Sequence, residues 1–133
     1  MSVELDHAIV SVRDKSAAAE LLAYLLGVPW EESGTGRFAP VYVNDELTLD
    51  FDQADGSLPV QHFCFRVSEE DFDGILARIK GKSIAYRSTP HGPVDMKVNL
   101  SHGGRNIYWE EPEGVVWEIL TVSYARHGAG IGF

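Results

Sequence analysis

The sequence predicts an α+β fold class: two copies of one module, each running strand, helix and then about three strands. Three observations carry this. A histidine-bearing β-type run occurs twice, as Leu5-Asp6-His7-Ala8-Ile9-Val10-Ser11-Val12 and as Val60-Gln61-His62-Phe63-Cys64-Phe65-Arg66-Val67. Each histidine stands five residues before the closing valine, and the offset, 62 − 7 = 55 residues, marks an internal repeat. A helical pattern follows each run, and between the copies Asp52-Gln53-Ala54-Asp55-Gly56-Ser57-Leu58-Pro59 has the composition of a linker.

The elements follow in order. Val3 to Val12 is alternating and β-branched, as a strand should be. Asp14 or Ser16 can cap the next helix, whose apolar face is Leu21, Leu22, Leu25 and Leu26, and Gly27 and Pro29 end it. Short strands are expected near Val28–Glu32, Arg37–Val43 and Glu46–Phe51, with turns at Ser33-Gly34-Thr35-Gly36 and Asn44-Asp45. In the second copy Ser68-Glu69-Glu70-Asp71 has the form of a capping box, and Phe72, Ile75, Leu76 and Ile79 lie at helical spacing. Strands are expected at Ser83–Arg87, Arg105–Glu110 and Val115–Val122. Ser88–Gly104 reads as a loop with a short strand around Val94–Val98. The modules so defined cover about residues 3–52 and 60–124 of a single domain, residues 1–125. Residues 126–133, including the Gly-rich stretch His127–Phe133, are expected to form a flexible tail.

Composition narrows the function. At 133 residues the chain is one domain that buries about two-thirds of its unfolded surface. No apolar run is long enough to cross a membrane, and Met1-Ser2-Val3-Glu4-Leu5-Asp6 lacks the marks of a signal peptide. The single cysteine, Cys64, fits a reducing cytoplasm. Eleven basic against twenty acidic residues give a net charge of −9, which repels a phosphate backbone. Nucleic acid and membrane are therefore not the expected partners; a small molecule is.

The chemistry concentrates at His7, His62 and Glu118. Residues two apart share a strand face, so His7 lies with Ile9 and Ser11, His62 with Cys64 and Arg66, and Glu118 with Val116 and Leu120. Two neutral imidazoles and a carboxylate suit one divalent metal, Fe, Mn, Ni or Zn, and leave positions open for water and substrate. Taken singly, each histidine is an ordinary strand residue and Glu118 an edge carboxylate. Their joint occurrence at repeat-equivalent positions, and a charge set among Val116, Trp117, Ile119 and Leu120, favour the metal. Asp50, at the corresponding place in the first half, is either a fourth ligand or a strand-end residue turning into the linker.

These residues resemble the vicinal oxygen chelate superfamily, which includes glyoxalase I, fosfomycin-resistance thiol transferases, extradiol dioxygenases and bleomycin-binding proteins. The marks are Leu5-Asp6-His7, Leu25-Leu26-Gly27, Gln61-His62-Phe63, and Tyr108-Trp109-Glu110-Glu111-Pro112-Glu113-Gly114 with Glu118 four residues on. The resemblance covers roughly Val3 to Tyr124. The resemblance implies paired βαβββ modules forming a cup-shaped mixed sheet around a divalent metal. It also implies a homodimer in which His7 of one subunit joins His62 and Glu118 of the other, with Asp50 matching a fourth ligand of glyoxalase-like members. Val115 departs from the histidine that many members carry there.

Around the metal, Tyr108 is either a substrate-facing residue, catalytic alongside Glu118, or a cross-strand packing residue. Arg105 could pin an anionic substrate, though a surface strand-start role is the simpler expectation. His102 could act as a general base but reads as an exposed loop residue, as do His91 and His127. Cys64 reads as a small buried hydrophobe. The expected function is a metal-dependent small-molecule enzyme in which the ion chelates neighbouring substrate oxygens. Isomerase or lyase chemistry fits a four-ligand site with Asp50, and ring-cleaving dioxygenase chemistry fits the bare triad with Fe(II). Extradiol enzymes of this superfamily are commonly about twice this length, which weighs against the second. Thiol transfer to a phosphonate lacks a basic cluster, since the Ser88–Gly104 loop offers only Lys97. The alternative class is a non-catalytic drug- or metabolite-binding protein of the bleomycin-resistance type.

Overall fold

The computed structural model describes residues 2–34, 36–111 and 114–126. Thr35 of the first turn, Pro112 and Glu113 of the acidic turn, and the expected tail from His127 lie outside the described residues. The described chain divides into two compact units: residues 2–61 with Glu111 and residues 114–115, and residues 62–110 with residues 116–126.

In the first unit β1 (His7–Val12) leads into α1 (Lys15–Leu26), then β2 (Ala39–Tyr42) and β3 (Thr48–Gln53). Asp14 caps α1 by accepting a hydrogen bond from the Ala17 amide at 3.1 Å, and Gly27 ends it in the left-handed conformation at φ 73°. Leu22 and Leu25 are buried as expected, but Ala18, Ala19 and Ala23 complete the face while Leu21 and Leu26 are only half-buried. Small alanines let the helix lie close to the sheet. The strand order is β1-β3-β2, with β1 parallel and β2 antiparallel to β3. The strand expected at Val28–Glu32 reduces to one bridge, Trp30 with Val41, because Pro29 at its start has no amide to give to a ladder.

The second unit repeats the plan. β4 (Gln61–Arg66), whose first residue clusters with the first unit, precedes α2 (Glu69–Gly81), β5 (Asn106–Glu110) and β6 (Val115–Leu120), in the order β4-β6-β5. Ser68 caps α2 by accepting from the Asp71 amide at 3.0 Å, and three acids fill its first turn. Phe72, Ile75 and Ile79 are buried on its inner face, and Leu76 is half-buried. The strand expected at Ser83–Arg87 survives as one bridge between Arg87 and Tyr108, and the Ser88–Gly104 loop contributes another from Asn99 to Asn106. The core centres on Trp117, with no exposed surface, whose ring stacks on Phe63 at 5.3 Å and Phe65 at 5.9 Å. Among the described residues no helix is long and apolar enough to cross a membrane.

Candidate metal centre

Pleating puts the chemistry on the face opposite that core. Phe63 and Phe65 turn inward to Trp117, so their neighbours His62, Cys64 and Arg66 project from the other side of β4. Trp117 and Glu118 likewise point to opposite faces of β6. His62 and Glu118 therefore meet, with Nε2 3.1 Å from Oε1.

The proton inventory of this pair is informative. His62 Nδ1 lies 3.0 Å from the Val116 carbonyl oxygen, which can only accept, so Nδ1 carries the hydrogen. With no hydrogen of its own, Nε2 presents a lone pair toward a carboxylate oxygen. Two acceptors facing each other call for a proton or a cation. Their 3.1 Å separation matches the roughly 3 Å between adjacent donor atoms of a six-coordinate ion with bonds near 2.1 Å. The residues fit a divalent metal.

Glu118 is fully buried, yet its oxygens are not orphaned. Tyr124 Oη lies 2.8 and 2.7 Å from Oε1 and Oε2, and Asn106 Nδ2 donates to Oε2 at 3.2 Å. Tyr124 has one hydroxyl hydrogen and gives it to Glu118, so Tyr108 must donate across the 3.1 Å to Tyr124. Tyr108 accepts in turn from Asn106 at 3.3 Å. The directed chain Asn106 to Tyr108 to Tyr124 to Glu118 holds the carboxylate in one orientation. Burial, above all, raises the pKa of both tyrosines, keeping them neutral donors. Tyr108 stands directly opposite Glu118 in the β5–β6 register, and its ring centroid is 6.1 Å from that of His62.

The other unit holds a second, simpler pairing. His7 and Asp50 project from the same face of adjacent strands, since Ile9 pairs with Asp50 and His7 lies two residues before Ile9. Both line a cleft of about 380 Å³ with Ile9, Phe38, Pro40 and Tyr42. Asp6 accepts a hydrogen bond from His7 Nδ1 at 2.7 Å, leaving Nε2 as the donor atom available to a ligand. That hydrogen bond, then the Asp6 charge, raises the His7 pKa above the ordinary histidine value. Among the described residues, no group of three His, Cys, Asp or Glu side chains is placed to hold a metal.

Several expectations need revision. Cys64 is exposed, not a buried hydrophobe, because it shares the outward face of β4 with His62. Its thiol pKa is nonetheless pushed up to about 12, first by desolvation and then by the Glu118 charge, so it stays a neutral thiol. Arg105 does not lie free on the surface. It donates to Glu69 at 2.8 Å and Asp73 at 2.7 Å and lies 4.3 Å from the centroid of the Phe72 ring. Arg105→Gln should therefore lower stability by about 1 kcal/mol, given partial exposure of its ion pairs, and leave metal binding unchanged. Thermal unfolding with a parallel metal titration checks this; weakened metal binding would return Arg105 to the site. His102 stacks on Tyr124 with ring centroids 4.6 Å apart, and His91 is exposed.

Sequence reasoning missed Asn106 and Tyr124. Asn106 had a signal, since it shares a strand face with Tyr108 and is a polar residue in an apolar run. Tyr124 had none, because it follows the last strand in a segment without periodicity.

No family model and no curated protein sequence matches the chain. Solved structures do. Oxidase ChaP-H2 is 38% identical with a TM-score of 0.87, covering 96% of this chain and 100% of its own. Oxidase ChaP-H1 is 35% identical with a TM-score of 0.85, covering 94% of this chain and 100% of its own. The fosfomycin resistance protein FosX from Listeria monocytogenes, as a mutant complexed with Mn(II) and 1S,2S-dihydroxypropylphosphonic acid, shares 17% identity with a TM-score of 0.67. It covers 93% of this chain and 95% of its own, a likeness of fold. With the repeated module and these relatives in hand, the chain belongs to the vicinal oxygen chelate superfamily.

Proposed function

We propose that this chain is a metal-dependent enzyme that oxidises a compact, oxygen-rich molecule, with one divalent ion held by His62, Glu118 and His7. The observation that carries this is His62 Nε2 set 3.1 Å from an oxygen of a fully buried carboxylate. When bound, the ion supplies Lewis acidity that stabilises negative charge on two neighbouring substrate oxygens. The chain's own residues orient the set. Val116 fixes the His62 tautomer, Asp6 aims His7, and the chain of Asn106, Tyr108 and Tyr124 holds Glu118. Two histidines and one carboxylate form the donor set of Fe(II) oxygen chemistry, whereas a fourth ligand at Asp50 would favour isomerase or lyase chemistry. The two relatives described above at 38% and 35% identity are named oxidases, which supports the oxidative branch. A divalent ion also accompanies the FosX relative, as Mn(II).

Elemental analysis of protein purified without added metal or chelator tests this. About one equivalent of Fe, Mn, Ni or Zn per chain is expected for a single site. Metal-free protein that takes up none of the four would overturn the reading and leave a non-catalytic binding protein.

His7 and the His62–Glu118 pair belong to different units, and we place them on one ion by pairing two copies of the chain as a homodimer. His7→Ala and His62→Ala homodimers should each be unable to complete a site. In an equal mixture of the two after subunit exchange, half of the dimers are hybrids with one intact site each. Tight metal binding should return to about a quarter of the wild-type level. No recovery, with exchange verified by mass spectrometry, would rule out sharing between subunits.

A further inference from the structure

Among the described residues, Arg66 is the arginine whose charge has no partner. The chain carries nine more acidic than basic residues, and its other arginines are engaged. Arg13 donates to Ala54 and Gly56, Arg37 pairs with Asp52, Arg87 with Glu110, and Arg105 with Glu69 and Asp73, while Arg78 and Arg126 are also in contact with partners. Arg66 alone makes no hydrogen bond or ion pair with a described residue. In so acidic a chain an unpaired guanidinium is not explained by want of carboxylates.

Its position suggests a use. Arg66 closes β4 on the outward face, four residues after His62 and two after Cys64, and lines the same cleft of about 830 Å³ as His62, Glu118 and Tyr124. Clefts of that size hold small organic molecules. At roughly 3.3 Å per residue, about 13 Å of strand separates the Cα atoms of His62 and Arg66, and a long arginine side chain can shorten that span. A ligand anchored at His62 and Glu118 would thus reach the guanidinium with its far end.

We propose that Arg66 is an anion subsite of this cleft and that the substrate is an organic carboxylate, bearing neighbouring oxygens at one end and the carboxylate at the other. One planar guanidinium with two parallel N–H donors matches a singly charged carboxylate. A doubly charged phosphoryl group would call for a second uncommitted cation, and the other arginine lining this wall, Arg126, is already in contact with a partner. The assignment rests on the metal reading above for the first end of the substrate and on Arg66 for the second.

The test uses full-length protein loaded with Zn(II), so that no oxidation occurs. Two probes are titrated by calorimetry: 3-(3,4-dihydroxyphenyl)propanoate and its methyl ester, which share the catechol and differ in charge. Wild-type protein should bind the acid about tenfold tighter than the ester, the worth of one charge-assisted pair in a half-open cleft. Arg66→Gln should reduce that preference to within about twofold while leaving ester affinity and thermal stability unchanged, and Arg66→Lys should retain part of it. Equal binding of acid and ester by the wild type, or a preference that survives Arg66→Gln, overturns the assignment and leaves the metal reading intact. Failure of both probes to bind the Zn(II)-loaded protein overturns the two together.

Discussion

Glu118→Gln should abolish tight metal binding while leaving the fold in place. The substitution keeps the shape of the side chain and an oxygen that can accept from Tyr124, so the surrounding hydrogen bonds have a replacement partner. What it removes is the negative charge facing His62 Nε2. Loss of an orienting partner costs about ten- to hundredfold in metal affinity, and loss of a ligand should exceed about a hundredfold. His62→Ala should do the same from the other side of the pair. Stability gives a second readout. Metal that binds only the folded state should raise the melting temperature of wild-type protein but not of Glu118→Gln. Without metal the variant should match or exceed the wild type, because a fully buried carboxylate is costly to desolvate. Stoichiometric metal in either variant would mean that the ion sits elsewhere.

Trp117→Ala should unfold a large fraction of the molecule's stability. The indole has no exposed surface and stacks on two phenylalanines, so truncation opens a cavity and breaks both stacks. Such a change costs about 3–5 kcal/mol, against a total of about 5–15 for a domain. Trp117→Phe keeps an aromatic surface and should cost less than half as much. Chemical denaturation of the two variants checks this, and a cost below about 1 kcal/mol for the alanine would show that the core is not organised around Trp117. Metal affinity should fall along with stability, since Glu118 is the next residue on the same strand and is aimed by the same packing.

Local rules read well from the chain where one residue type has one physical use. Asp14, Gly27 and Ser68 sit at helix ends because their side chains or backbone freedom satisfy groups that a helix leaves open. Alternation in β4 separates Phe63 and Phe65 from His62, Cys64 and Arg66 without reference to anything distant. Local rules decide less where distant neighbours do. Val28–Glu32 and Ser83–Arg87 have strand composition, but each pairs through one bridge. Cys64 has a core residue's chemistry on a face that the pleat turns outward. Arg105 has the chemistry of an anion-binding residue, yet α2 supplies two carboxylates and an aromatic face that occupy it.

Periodicity and the 55-residue repeat were enough to establish the α+β class, the doubled module and the histidines and carboxylates that share a strand face, because side-chain direction along one strand is a local property. The register that sets Tyr108 against Glu118, the carbonyl that fixes the His62 tautomer, and the tyrosine from beyond the last strand that clasps the carboxylate come from long-range pairing. So does the difference between Arg105 and Arg66. Two arginines alike in the chain part company once the fold surrounds one with carboxylates and leaves the other facing a cleft, because the worth of a charge depends on what packing places beside it.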